Sequence, residues 1–148
     1  MIRIHGTAIA LGSDGVLLRG PSGSGKSDLA LRLIDAGAVL IADDQTELRD
    51  IGGTVRLSAP PTIAGRMEVR GVGIVEVPSR ASAPLRLVAD LVPPDRVERL
   101  PEPAWCRYFG YDFPLLALTP FEVSAPAKLR AALALLTTLP ARDVGERP

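Results

Sequence analysis

Gly20-Pro21-Ser22-Gly23-Ser24-Gly25-Lys26-Ser27 fits the phosphate-binding pattern G-x-x-x-x-G-K-[ST] at every position. Such a loop needs glycines because successive backbone N–H groups must turn inward onto phosphate oxygens, in conformations closed to other residues. Lys26 adds a point charge for the β- and γ-phosphates, and Ser27 offers a hydroxyl to Mg²⁺. The flanks agree with the motif. Gly15 to Arg19 is a short apolar run that reads as a buried strand. From Ser27 onward, Leu29, Ala30, Leu33 and Ile34 recur at helical spacing, and Gly37 supplies a stop. Strand, loop and helix together predict an α/β fold with a nucleoside triphosphate as ligand.

A second anchor follows at Ala38-Val39-Leu40-Ile41-Ala42-Asp43-Asp44. A short apolar run ending in two acids reads as a buried parallel strand. Ligands of open α/β sheets bind at that end, so Asp43 and Asp44 are expected beside the phosphates. The plainer reading is an acidic turn. Before the loop, Ile2, Ile4 and Thr7 to Leu11 suggest a strand bent at Gly6, with a turn at Gly12 to Gly15. His5 is the sole histidine; taken alone, one histidine near a terminus is more often structural than catalytic.

Farther along, Gln45 to Leu57 suggests a hairpin turning at Gly52-Gly53, and Ser58 to Arg66 an irregular loop. Val72 to Val77 and Leu85 to Val92 read as strands, the latter closed by Pro93-Pro94. On spacing alone, Glu68 and Arg70 form a surface pair of little worth. Between Trp105 and Phe113 lie five of the six aromatics, which suits either a partner surface or core packing. Leu115 to Leu118 and Phe121 to Val123 read as edge strands. Pro126 opens a helix through Leu129, Leu133 and Leu136, and the polar tail 140–148 is expected to fray.

Composition narrows the classes. A length of 148 residues suits a single domain, 1–148, with a substantial core. Zero formal net charge gives no general attraction to nucleic acid or an anionic membrane. Cys106 is the only cysteine, which excludes an intramolecular disulfide and a cysteine-ligated zinc site and makes a reducing compartment the default. No apolar run approaches a membrane span, so a soluble, cytoplasmic protein is expected.

The pieces in order are a His-Gly pair, the phosphate loop, Leu40-Ile41-Ala42-Asp43-Asp44, and Glu68-Val69-Arg70-Gly71-Val72-Gly73-Ile74. In that order and spacing they resemble the catalytic domain of HPr kinase/phosphorylase, over the stretch from His5 to about Arg99. The chain is similar to the short, single-domain form seen in alphaproteobacteria. The resemblance implies a P-loop-containing mixed sheet with flanking helices, of the HPr kinase and PEP-carboxykinase type. It also implies ATP and Mg²⁺ as cofactors, the phosphocarrier protein HPr as substrate, and assembly as a homohexamer.

Position by position, the resemblance makes Asp44 the general base that takes the serine proton. It places Lys26 and His5 in the active site and makes Ser27 and Glu68 ligands of Mg²⁺. Arg99 in Val97-Glu98-Arg99-Leu100 matches an active-site arginine, and Met67 to Glu76 matches the segment linked to dephosphorylation. Asp43 is placed to serve the metal through a water. Longer members carry a Pro-Val-x-x-Gly-Arg type motif near the C-terminal strands. The corresponding stretch here, Pro120 to Lys128, lacks its glycine and arginine. Two other readings of the loop stay open: a P-loop kinase of a small metabolite, and a regulator that senses ATP without transferring phosphate.

Overall fold

The computed structural model describes residues 1–138 and the short strand Arg142–Asp143. In chain order the elements are β1 (Ile2–Leu11), β2 (Asp14–Arg19), α1 (Lys26–Asp35), β3 (Val39–Ala42), β4 (Gln45–Ile51) and β5 (Thr54–Ser58). They continue with β6 (Arg66–Val69), β7 (Gly73–Glu76), β8 (Ser82–Leu91), β9 (Ala104–Tyr108), β10 (Tyr111–Leu118), α2 (Ala125–Leu136) and β11 (Arg142–Asp143). Single 3₁₀ turns at Pro61–Ile63 and Pro94–Arg96 interrupt the loops, the first within the stretch expected to be irregular.

A mixed sheet runs β11-β10-β8-β2-β1-β4-β5, with β3 on β1 and β9 on β10. β5 also pairs with β8, through Arg56 to Pro84, Leu57 to Ala83 and Ser58 to Ser82. β8, β2, β1, β4 and β5 therefore close into a ring, which leaves fewer free edges. The ring is lined by Leu17, Leu48, Val55, Leu57, Ala83 and Leu85, all buried. On the opposite face, Ile9, Val16, Leu18, Leu40 and Leu87 pack under α1 and α2, whose buried residues are Leu29, Ala30, Leu33, Ala125, Leu129 and Leu133. Strand periodicity explains the split, since neighbours along β1, β2 and β3 point to opposite faces. In β8 the parity switches, because a bulge sets Gly15 opposite Leu85 and Val16 opposite Leu87.

β1 is one strand that bends as expected: Ile2 to His5 pair with β4, and Ala8 to Ala10 with β3. The predicted hairpin forms as β4 and β5. Gly52 and Gly53 take φ of 62° and 89°, the left-handed pair that a two-residue turn requires. α1 spans Lys26–Asp35 as read from the loop's flank. β6 and β7 form a separate two-stranded hairpin. Met67, 2% exposed, fixes it into the core on the helix side.

Two expectations are corrected. β3 is buried, but its sheet neighbour β1 is antiparallel to it. Because β1 is also antiparallel to β2, β3 still runs in the direction of β2. Asp43 and Asp44 therefore reach the same sheet edge as the phosphate loop. Phe121 to Val123 is a turn, since Pro120 and the helix start at Ala125 leave no room for a ladder. Leu115–Leu118 is internal on one side, paired in parallel with Val88–Leu91. The tail expected to fray from Pro140 lies outside the described residues apart from Arg142–Asp143, whose backbone pairs with Tyr111 and Asp112. Among the described residues no helix is long and apolar enough to cross a membrane.

Candidate functional site

β2 delivers Gly20 to the sheet edge, and the loop closes on itself before α1 begins. Ser24 N–H donates to Pro21 O at 3.0 Å, and Leu29 N–H donates to Gly25 O at 2.9 Å as the first helical bond. Gly25 caps the helix with φ of 100°, in the left-handed region where a side chain would be strained. A Cβ there would also stand 2.9 Å from the Phe121 ring. Lys26 is 6% exposed, and its Nζ donates to Gly20 O at 2.6 Å and Pro21 O at 3.0 Å. The ammonium is thus held inside the loop by carbonyls that phosphate oxygens would replace. Among the described residues, Ser24 Oγ is buried without a hydrogen-bond partner, packed where a Cβ on Gly20 would fall.

The two acids at the end of β3 face different surroundings. Asp43, 8% exposed, accepts from Ser27 Oγ at 2.7 Å and Thr7 Oγ1 at 3.2 Å on one oxygen. Its other oxygen accepts from the Glu68 backbone N–H at 3.2 Å. Asp44 adopts φ of 67°, uncommon outside glycine but tolerated by aspartate. Its backbone is fixed at both ends: Asp44 N–H donates to Thr7 Oγ1 at 3.1 Å, and Gly6 N–H donates to Asp44 O at 2.9 Å. Its side chain is 62% exposed, and Oδ1 lies 2.7 Å from His5 Nε2, which donates the bond.

The loop and Asp44 border one cavity of about 420 Å³, lined also by Asp28 and Leu31 of α1, by Glu68 to Arg70 and by Phe121. Lys26, Ser27, Asp44 and Glu68 are thereby brought together. Asp43 sits behind them, joined through Ser27. His5 reaches the site through Asp44. Arg99 is exposed, beyond the 3₁₀ turn that follows β8, and is not among the lining residues. Ser27 Oγ and the Asp43 carboxylate, 2.7 Å apart, and the Glu68 carboxyl of the cavity lining are oxygen donors, the kind Mg²⁺ takes. Among the described residues no cluster of three or more His, Cys, Asp or Glu could hold a metal ion.

Sequence reasoning missed Thr7, fully buried, whose single hydroxyl touches both acids. It read Glu68 and Arg70 as a surface pair on spacing alone and Glu68 as a metal ligand by resemblance; both are exposed and line the cavity. It also missed Arg19, immediately before the loop. Arg19 makes a two-pronged bond to Asp90, at 2.7 and 2.9 Å, and donates to Tyr108 Oη at 2.9 Å and Cys106 Sγ at 3.2 Å. The bond to Asp90 holds Arg19 above its ordinary range, while burial pushes the Tyr108 hydroxyl up. This network ties the aromatic hairpin β9–β10 to the strand ends that carry the loop. Tyr108, Phe109, Tyr111 and Phe113 pack partly buried against the ring core, which is the core-packing alternative for that segment.

Comparison with known proteins places these features in context. Residues 1–82 match the family described as the HPr serine kinase C-terminal domain. An HPr kinase/phosphorylase of Clostridium tetani is 44% identical over 77 residues, 52% of this chain and 25% of that protein. One from Exiguobacterium is 42% identical over 78 residues, again 52% of this chain and 25% of its own length. The chain therefore spans about a quarter of the length of these relatives. A solved structure of the Hpr(Ser) kinase/phosphatase from Coxiella burnetii superposes with a TM-score of 0.80 at 24% identity, covering 90% of this chain and 89% of that one. That likeness shows the mixed α/β fold.

Proposed function

Because this chain belongs to the family of the HPr serine kinase C-terminal domain, we propose that it transfers the γ-phosphoryl group of ATP to a serine of HPr, with Mg²⁺ as cofactor. The observation that carries the reading is Asp44. It is an exposed carboxylate in a fixed left-handed conformation, bonded to His5, on the lip of the cavity that also holds Lys26 and Ser27. A site that only bound nucleotide would have no use for a carboxylate fixed there. A protein substrate also suits a carboxylate on a rim, where a hydroxyl on a folded surface can reach it.

Phosphoryl transfer passes through a loose transition state, so positioning and charge stabilisation carry most of the rate. Backbone N–H groups from Ser22 to Lys26 hold the β-phosphate, and Lys26 exchanges the carbonyls of Gly20 and Pro21 for phosphate oxygens. Asp44 orients the serine hydroxyl and accepts its proton as the oxygen–phosphorus bond forms and ADP leaves. His5 fixes the carboxylate's orientation through its bond to Oδ1. Ser27, Glu68 and, through a water, Asp43 would be the protein donors to Mg²⁺, which would supply neutralisation of charge on the phosphate oxygens. Run backward with inorganic phosphate attacking phosphoserine, the same groups would return serine and pyrophosphate. Assembly as a cytoplasmic homohexamer belongs to the same reading and is tested by light scattering.

The test uses γ-labelled ATP, Mg²⁺ and HPr from the same organism, with Asp44→Asn alongside. Label on an HPr serine, lost in Asp44→Asn while ATP still binds, is the expected result. ATP binding with HPr unlabelled would remove the substrate assignment and favour a small-metabolite kinase. Equal activity of Asp44→Asn in any ATP-dependent response would favour a non-catalytic sensor. Adding inorganic phosphate to labelled HPr tests the reverse direction through release of pyrophosphate.

A further inference from the structure

Phe121 is 66% exposed, yet the turn that carries it is tightly fixed. Arg32 of α1 donates through both guanidinium arms, to Pro120 O and to Glu122 O at 3.2 Å, so one fork grips the carbonyls on either side of the ring. Lys128 pairs with Glu122 at 2.9 Å, Ala125 N–H donates to Glu122 O at 3.1 Å, and Thr119 Oγ1 donates to Val92 O at 3.3 Å. An exposed aromatic is ordinarily free to move. This one is held against Gly25 at the point where the phosphate loop becomes α1, and among the described residues it is the only aromatic side chain lining the cavity.

The sheet order gives the ring a direction. β2, which ends in the loop, has β1 and then β3 on one side and β8 and then β10 on the other. β3, β8 and β10 all run in the direction of β2, so their C-terminal ends share its edge. Asp44 follows β3 and Phe121 follows β10. They stand on opposite flanks of the loop. A nucleotide whose γ-phosphate points toward Asp44 must carry its nucleoside toward the other flank.

We propose that Phe121 is a stacking platform for the base of the bound purine nucleotide, positioned by the Arg32 fork; this rests on the reading of the loop as an ATP site. Phosphate contacts are blind to the base, so the ring makes the site prefer a nucleotide over a plain polyphosphate. Base–aromatic stacking is sequence-tolerant and is typically lost on truncation to alanine at a cost of about tenfold or more in affinity. Adenine and guanine are therefore both accepted, with hydrogen-bonding groups elsewhere left to choose between them.

The experiment is calorimetric titration of the whole chain with ADP and, separately, with pyrophosphate, which keeps the diphosphate and lacks the nucleoside. Phe121→Ala and Phe121→Leu are expected to weaken ADP about tenfold and leave pyrophosphate unchanged, whereas Phe121→Trp retains ADP affinity. In Phe121→Trp, ADP quenches the new indole's fluorescence above the Trp105 background, and pyrophosphate does not. Equal weakening of both ligands would overturn the proposal, since the ring would then only pack Gly25. Unchanged binding of both, with phosphorylation of HPr impaired, would overturn it in favour of a contact with the protein substrate. If the unmodified chain binds pyrophosphate but ADP no more tightly, the platform is refuted while the phosphate loop stands. Binding of neither ligand removes the ATP reading itself.

Discussion

Replacing Thr7 by valine separates the acid pair from its shared support without changing the shape of the core. Valine keeps the β-branched outline that the strand favours and fills the same space, so neither cavity nor strand propensity enters the balance. The lost hydroxyl does two things: it donates to Asp43 Oδ1 at 3.2 Å and accepts the Asp44 N–H at 3.1 Å. Thr7 is fully buried, so no water replaces it from that side. Leaving buried partners unmatched costs about 1–3 kcal/mol. The Asp44 N–H is one of two bonds holding that residue at φ of 67°, so part of this cost falls on the reactive conformation. If 1–2 kcal/mol does, turnover falls by a factor of about 5–30, with little change in the KM for ATP, because the loop residues are untouched. Urea denaturation of wild type, Thr7→Val and Thr7→Ser measures the stability, and steady-state phosphorylation of HPr measures the rate. Thr7→Ser keeps the hydroxyl and is expected to recover most of the rate. The reasoning fails if Thr7→Val matches wild type in both assays, or if Thr7→Ser is as slow as Thr7→Val.

Arg19→Ala removes a two-pronged pair in which Arg19 is 28% and Asp90 34% exposed. This partly screened pair contributes on the order of 2 kcal/mol, and Arg19→Ala with Asp90→Ala is expected to lose no more than the larger single change in a thermal melt. Arg3 donates to Glu47 at 2.6 Å and, with Arg49 at 3.1 Å, holds its carboxyl below the ordinary value of 4.5. A depressed folded value means the stabilisation is present above the unfolded value and lost as pH falls through the folded one. Glu47→Gln should therefore flatten that part of the acid limb of stability against pH. Burial raises Tyr108, so its stabilisation is present below the ordinary tyrosine value and lost as pH rises through the raised one. Tyr108→Phe is expected to shallow the alkaline limb, and a wild-type slope above pH about 10 would refute this. Gly25→Ala places a methyl 2.9 Å from the Phe121 ring at φ of 100°, and its loss of pyrophosphate binding is the outcome expected in calorimetry.

The parts of the site legible in the sequence are those whose chemistry is local. The loop, the helix after it, and the two acids at the end of an apolar run declare themselves by residue type and spacing. So does the Gly52-Gly53 turn. Strand direction does not, because an apolar run looks the same whichever way its neighbour points. That is why β3 was expected to be parallel, although the conclusion drawn from it survives through the shared antiparallel partner β1. Thr7 was invisible for a similar reason, since a threonine opening the apolar strand run Thr7 to Leu11 reads as propensity until the fold brings residues 43 and 44 against it. Closure of the ring through β5 and β8 rests on contacts between distant residues, and only the folded chain supplies them.

The acid pair shows what the fold adds to a motif. Adjacent residues at the end of β3 would have similar chemistry if both stayed exposed. The left-handed turn at Asp44 parts them. Asp43 is drawn inward, where Ser27 Oγ, Thr7 Oγ1 and the Glu68 N–H occupy its oxygens. Asp44 is turned outward, where only His5 is hydrogen-bonded to its carboxylate among the described residues. A carboxylate whose oxygens are already occupied is poorly placed to receive a proton from an incoming hydroxyl, but well placed to hold other groups in order. One with a free oxygen at the rim has the opposite aptitude. The asymmetry thus divides the two acids: Asp43 organises the loop's serine and the β6 backbone, and the proposed function gives Asp44 the task of meeting the acceptor. Exchanging their surroundings is the severest test of that division. Asp43→Asn should disturb Ser27 and therefore nucleotide binding in the presence of Mg²⁺, whereas Asp44→Asn should spare binding and stop transfer. Equal effects of the two substitutions on binding and on turnover would show that the pair acts as one acidic patch.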